Sequence, residues 1–100
     1  MQVKLLNKGN TGEAVLIGTL DSVSSPQAEK VLTDIAERFD TLVLNLQDLE
    51  YTSSAGLRVI KGLQIKMNKK GGSLILKHTR PMVMEVFDMT GFSRFLKFED

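Results

Sequence analysis

Apolar residues between positions 25 and 39 recur three and four residues apart, which is the spacing of a helix buried along one side. The members of this series are Ala28, Val31, Leu32, Ile35, Ala36 and Phe39. Because an α-helix turns once every 3.6 residues, their side chains form one stripe. Pro26 suits a first helical turn, and Ser24 or Ser25 can cap it. The pattern predicts a helix of about four turns.

The same spacing predicts two further helices, from about residue 54 to 70 and from 81 to 89. We expect the buried positions to be Leu57, Ile60, Leu63 and Met67 in the first and Val83, Val86 and Phe87 in the second. Lys66, Lys69 and Lys70 complement the negative end of the first of these helices. Glycines follow both helices, at Gly71 and Gly91, as is typical of helix C-termini.

Four short apolar runs are typical of β-strands, at residues 3–6, 14–20, 42–46 and 73–78. A polar loop with two glycines separates the first two runs and predicts a hairpin. Helices separate the later runs, and such helical crossovers predict parallel pairs of strands. The order is β-β-α-β-α-β-α, with residues 92–100 left for a turn and a last edge strand. We therefore expect an α/β fold, with helices packed on one mixed sheet.

Length and composition narrow the class of protein. One hundred residues suit a single domain covering 1–100. Thirteen Lys and Arg against 12 Asp and Glu give a net charge of +1, which provides no field for nucleic acid or an anionic membrane. Without cysteine there is no thiolate chemistry, and no apolar run approaches the roughly 20 residues of a membrane span. We predict a cytoplasmic protein.

The candidate chemistry lies in residues 51–60, where a strand gives way to a helix. Ser53 and Ser54 stand where that helix begins. The first N–H groups of a helix have no partner within it, so the junction favours negative charge, although either serine could simply be an N-cap. Asp21, which ends the second strand, is expected near Ser54 because both strands deliver their C-terminal ends to one edge. The alternative for Asp21 is a turn residue.

The order and spacing of five segments resemble one known family. These segments are GTLD (18–21), LNLQDL (44–49), YTSSAGL (51–57), KKGG (69–72) and FDMTGF (87–92). Together they cover nearly all of the chain. The chain resembles a STAS domain, and in particular the stand-alone bacterial anti-sigma factor antagonists.

The resemblance implies a phosphorylation switch. The phosphorylated serine of the family falls on Ser54, and its strand-ending aspartate falls on Asp21. Many members carry Asp where this chain has Ser53, which leaves Ser53 as a second candidate acceptor. Unphosphorylated members bind an anti-sigma factor that is also their serine kinase, freeing the sigma factor, and a PP2C-type phosphatase restores this form. No cofactor is implied.

We therefore predict a partner-binding edge formed by Asp21, Ser53, Ser54, Gly56 and Arg58. Gly56 would let a partner's backbone approach closely, and Arg58 would add a charge at the rim. A phosphate on Ser54 would sit where the helix favours an anion, so it should disrupt the partner's footprint without unfolding the domain.

Two alternatives remain at this point. The chain could be a STAS subunit of a lipid-transport ABC complex, bound constitutively and not phosphorylated. It could also be a hydrolase using Ser54 and His78, but the G-x-S-x-G elbow is missing and no third group is indicated. One histidine cannot build a metal site alone. The sequence therefore favours a binding module that is not an enzyme.

Overall fold

The computed structural model describes residues 1–99. Its strands are β1 (Gln2–Lys8), β2 (Thr11–Leu20), β3 (Thr41–Asn45), β4 (Leu49–Thr52), β5 (Ser73–Lys77) and β6 (Lys97–Glu99). Its helices are α1 (Ser25–Arg38), α2 (Ser54–Lys69) and α3 (Pro81–Thr90), with a 3-10 turn at Phe92–Arg94. The predicted α/β fold and the order of its elements are confirmed, and β4 is added.

One mixed sheet forms the centre of the molecule. Its strand order is β1-β2-β3-β5-β6, and β4 pairs with β2. The β1–β2 hairpin is antiparallel, whereas β2–β3, β3–β5 and β5–β6 are parallel. The predicted hairpin, the parallel crossovers and the last edge strand are therefore confirmed. Asp100, which the sequence also assigned to that final segment, lies outside the described residues.

The sequence patterns missed β4 because it has no apolar run. Only Leu49 and Thr52 are buried, while the two residues between them are exposed. It pairs in parallel with the end of β2, and the register of this pair shifts between Gly18 and Thr19. Gly18 has a φ of 111°, which a residue with a side chain rarely adopts. Residues 11–15 of β2 pair with β3, and residues 18–20 pair with β4.

The core lies between the sheet and the helices. The buried sheet residues include Ala14, Leu16, Leu42, Leu44, Leu74 and Leu76, and the buried helix residues include Ala28, Leu32, Ile35, Leu57, Ile60, Leu63, Met67, Val83 and Phe87. The predicted helical stripes are confirmed, although Val31 and Val86 are only partly buried. Val59, which was not predicted, is 4% exposed. It lies where α1 and α2 pack against each other.

The C-terminal ends of α1 and α2 form what we call the closed end of the helix pair. Lys70 Nζ donates hydrogen bonds to the carbonyls of Ala36, Glu37 and Phe39 at 2.8, 3.2 and 2.8 Å. The Lys70 side chain thus satisfies the last carbonyls of α1, whereas the sequence predicted only that its charge complements the end of α2. The Gly72 N–H bonds the Met67 carbonyl at 2.8 Å and closes α2.

Within residues 1–99, no helix combines the length and apolar character that crossing a membrane requires. The same range contains no group of three or more His, Asp or Glu side chains placed to share a metal ion.

Candidate functional site

The site is built where β2 and β4 end side by side. Leu20, the last residue of β2, pairs with Thr52 of β4, and the Ser53 N–H donates to the Leu20 carbonyl at 2.9 Å. Asp21 follows Leu20 directly, and Ser54 is the first residue of α2. The short strand β4 therefore brings Asp21 and the two serines to the same edge, where Ser54 is exposed.

The N-terminus of α2 is not capped by a side chain. Ser53 is in the N-cap position, with φ −97° and ψ 179°, but its hydroxyl makes no capping bond. Its Oγ is buried and has no hydrogen-bond partner in the described part of the chain. The first intrahelical bond runs from the Leu57 N–H to the Ser53 carbonyl at 3.0 Å. The three N–H groups before it, of Ser54, Ala55 and Gly56, remain available to an anion or a partner.

Asp21 is both a turn residue and a fixed negative charge. Its Oδ1 accepts hydrogen bonds from the N–H groups of Ser24 and Val23, each at 3.0 Å. The bond from the Ser24 amide, followed by the one from Val23, lowers the pKa of Asp21. Asp21 is only half-buried. Asp21 is therefore the turn residue that the sequence offered as an alternative. Its carboxylate nevertheless stays ionised at this edge.

A shallow groove runs between the first turns of α1 and α2. Its lining residues are Ser22, Ser25, Pro26, Glu29, Ala55, Arg58 and Val59. Ser25 is 5% exposed, and its Oγ has no hydrogen-bond partner within residues 1–99. We call this groove, together with Asp21, Ser53 and Ser54, the open end of the helix pair. Sequence reasoning missed Ser22 and Ser25, because only the packing of α1 on α2 places them here.

Apolar side chains flank the open end. Val23 is 86% exposed and Tyr51 is 46% exposed. They lie in the segments that lead into α1 and α2, two residues from Asp21 and from Ser53 respectively. Exposed apolar groups beside unsatisfied polar groups are typical of a surface that another protein covers.

The role predicted for Gly56, to let a partner's backbone approach closely, is not the one that its surroundings indicate. It is buried, and a Cβ there would lie 2.8 Å from Leu20 Cγ and 2.9 Å from the Leu20 carbonyl oxygen, besides overlapping Thr52 Oγ1. The space that we expected a partner's backbone to use is filled by the chain's own β2 and β4. Gly56 therefore lets α2 begin close to the sheet and so positions Ser54.

His78 does not join the site. It follows β5, is exposed, and has a left-handed φ of 58°. The carbonyl of the preceding Lys77 accepts a bond from the Leu46 N–H, which places His78 beside the connection from β3 to β4. In the described residues no hydrogen bond joins His78 to Ser54, so the geometry gives no support to a serine hydrolase.

Comparison with known proteins identifies the family. Residues 7–100 match the family model of the STAS domain. The chain belongs to the STAS domain family, as the resemblance of its segments indicated.

Individual relatives agree with this assignment. The chain is 36% identical over 85 residues to BtrV of Bordetella bronchiseptica, covering 80% of this chain and 73% of that protein. It is 31% identical over 91 residues to the anti-sigma-B factor antagonist of Bacillus subtilis, covering 91% and 84%. The anti-sigma factor antagonist SpoIIAA in its unphosphorylated form shares the fold, with a TM-score of 0.83 at 20% identity over 99% of this chain and 89% of that one. The phosphorylated form of SpoIIAA matches with a TM-score of 0.75 at 20% identity, covering 99% and 92%.

Proposed function

We propose that this protein is an anti-sigma factor antagonist whose binding to its partner is switched by phosphorylation of Ser54. The observation that carries the proposal is the position of Ser54, an exposed hydroxyl at the uncapped N-terminus of α2, on the edge that also holds Asp21. The names of the curated relatives support the same function. That SpoIIAA has been solved in both states supports a switch of this kind on this fold.

In the unphosphorylated state, the open end is neutral at Ser54 and offers both polar and apolar contacts. The free N–H groups of α2 can donate hydrogen bonds to a partner's oxygen atoms, and Val23 and Tyr51 provide apolar area. Arg58 is exposed one turn further along α2 and supplies a charge at the rim. An anti-sigma factor bound at this edge would be held away from its sigma factor.

Phosphorylation of Ser54 would release the bound anti-sigma factor, because it adds charge at the edge without disturbing the fold. Transfer of the γ-phosphoryl group of ATP to Ser54 Oγ releases ADP and a proton and adds a charge of about −1.5 to −2 at pH 7. The N-terminus of α2 stabilises that charge, because the helix dipole and the free N–H groups favour an anion. A partner's footprint that includes Ser54 and the ionised Asp21 would instead be repelled.

The proposed partners follow from this cycle. The anti-sigma factor would itself be the serine kinase, and a PP2C-type phosphatase would remove the phosphate by hydrolysis. The protein itself would act in the cytoplasm as a binding module, with no catalytic residue and no cofactor.

Mapping the phosphate tests the acceptor. The chain is incubated with ATP and the anti-sigma factor kinase of the same genome, and the modified residue is located by mass spectrometry. We expect phosphate on Ser54, none in the Ser54→Ala variant, and normal modification of Ser54 in the Ser53→Ala variant. Phosphate that persists in Ser54→Ala would overturn the assignment. An affinity purification that recovers a transporter ATPase and no anti-sigma factor would instead favour a constitutive subunit of a lipid-transport complex.

A further inference from the structure

Arg58 lies one helical turn after Ser54, on the side of α2 that borders the groove. Residues four apart on a helix are neighbours, and a negative residue placed N-terminal to a positive one is the favourable order. Arg58 is exposed and lines the groove. It takes part in none of the three salt bridges formed within residues 1–99. Its guanidinium is therefore available to a group attached to Ser54.

The opposite wall of the groove supplies hydroxyl groups. Ser22 is exposed at the turn before α1, and Ser25 is the first residue of that helix. Ser25 is 95% buried and lines the groove, yet its Oγ has no partner in the described residues. A buried hydroxyl without a partner costs free energy, which a ligand oxygen at this position would recover. This unsatisfied group is an observation independent of the helix N-terminus.

The charged side chains around the groove differ in their effect on a bound anion. Glu29 of α1 lines the same groove, and the ionised Asp21 directly precedes Ser22, another residue of its lining. Both carboxylates oppose a second negative group. Arg58 is the one basic residue among those that line the groove in the described structure. Besides the dipole and free N–H groups of α2, Arg58 is therefore the one charged side chain of the groove that favours an anion at the start of that helix.

We propose that a phosphate on Ser54 is bound within its own chain, by Arg58 and by the hydroxyl groups across the α1–α2 groove. The inference rests on the proposed function and extends it. Phosphorylation would then change two features at once, because it places negative charge at Ser54 and withdraws the Arg58 guanidinium from the surface that the partner contacts.

The second ionisation of the phosphoserine measures this interaction directly. Phosphoserine is installed at position 54 during synthesis of the chain, and its 31P resonance is followed against pH. An ion pair with Arg58 favours the dianion, so it lowers the second pKa of phosphoserine, ordinarily about 6. We expect Arg58→Gln to raise that pKa by roughly 0.2 to 0.4 of a pH unit, with Arg58→Lys retaining part of the effect.

Two further variants test the groove. Glu29→Gln should lower the phosphoserine pKa because it removes an opposing charge, and Ser25→Ala should raise it slightly because it removes a donor. Arg38→Gln is the matched control, since Arg38 is an exposed arginine in the last turn of α1, at the other end of that helix. It should leave the titration unchanged.

The result that would overturn the inference is an identical phosphoserine titration in the unsubstituted chain and in Arg58→Gln. Because the phosphate is installed without a kinase, this result does not depend on whether a kinase recognises the chain. A normal Arg58-dependent titration combined with no phosphate on Ser54 in the kinase assay would count against the proposed function alone.

Discussion

The two ends of the α1–α2 pair differ in how far their terminal polar groups are hydrogen-bonded. At the closed end, Lys70 binds three carbonyls of α1 and its C-cap residue, and Gly72 closes α2. At the open end, no side chain of residues 1–99 caps either helix, and within that range the buried hydroxyls of Ser25 and Ser53 have no hydrogen-bond partner. The hydrogen-bonding groups of the same two helices are thus satisfied at the closed end and left unsatisfied at the open end.

The closed end therefore serves the stability of the fold, and the open end is the part available for binding. Groups that the chain satisfies by itself contribute to folding, whereas groups left unsatisfied are available to a partner or a phosphate. A switch also needs a support that tolerates added charge. The open end meets that requirement because the N-termini of helices favour anions.

The largest expected effect concerns the packing that supports the open end. Gly56→Ala places a methyl group against Leu20 and Thr52, so it should lower the free energy of unfolding by about 2 kcal/mol, measured by urea denaturation. Gly62→Ala is the matched control in the same helix, because a Cβ there meets no atom within 4 Å. It should raise the free energy of unfolding by up to about 1 kcal/mol. Two substitutions with the same sign would contradict the packing argument.

The next effect concerns the closed end. Lys70→Met removes the ammonium group that binds the carbonyls of Ala36, Glu37 and Phe39, so it should destabilise the protein by about 1 kcal/mol. Lys69→Met is the control, since Lys69 is an exposed neighbour whose side chain makes no hydrogen bond within residues 1–99. Thermal unfolding should separate the two variants. Equal melting temperatures would show that the carbonyls are satisfied equally well by water.

A smaller effect depends on pH and lies in the sheet near the closed end. Hydrogen bonds from Lys8 Nζ at 2.9 Å and Asn45 Nδ2 at 3.0 Å lower the pKa of Glu13, which is 6% exposed. The pKa of Glu13 is lower in the folded than in the unfolded chain, so the ionised carboxylate stabilises the fold. This stabilisation is complete above the ordinary pKa of about 4.3 and is lost as the pH falls through the folded pKa.

The Glu13→Gln variant tests this linkage. It should cost under about 1 kcal/mol at neutral pH and should flatten the decline of stability with falling pH below about 5. Chemical denaturation at a series of pH values measures both. Parallel pH curves for the two proteins would show that Glu13 does not carry the linkage.

The smallest effect tests whether the open end tolerates charge. Ser54→Asp places a carboxylate in the first turn of α2, where the helix dipole should stabilise it by about 0.5 kcal/mol. Ser54→Asn is the neutral control of similar shape. Thermal unfolding at low ionic strength should rank Asp above Asn, and the difference should shrink with salt. A loss of several degrees in Ser54→Asp would mean that charge at this position damages the fold.

Much of the fold could be predicted because its signals are periodic. The helical stripe beginning at Ala28 indicates a helix and its inward face, and the nearly continuous apolar run at residues 42–46 indicates a strand within the sheet. The parallel arrangement follows from the crossovers. Strand β4 could not be predicted, since four residues with two exposed positions carry no periodic pattern.

The site could be predicted only in part, for a related reason. Ser54 and Asp21 could be proposed from the sequence because a loop-to-helix junction and a strand end are local features. The partners across the groove could not be found, because Ser25 meets the start of α2 only after α1 packs on it. The role of Gly56 was misassigned for the same reason, since its contacts with Leu20 and Thr52 arise from the pairing of β2 with β4.

The central claim is that charge at Ser54 releases the partner while the open end keeps its structure. Isothermal titration of the anti-sigma factor into the unphosphorylated chain, and into the chain carrying phosphoserine at 54, tests it most directly. We predict affinity at least about 100-fold weaker for the phosphorylated chain, because like charges across an interface cost several kcal/mol, with unchanged amide spectra away from residues 21–25 and 53–58. Equal affinity of the two forms for the anti-sigma factor would contradict the account.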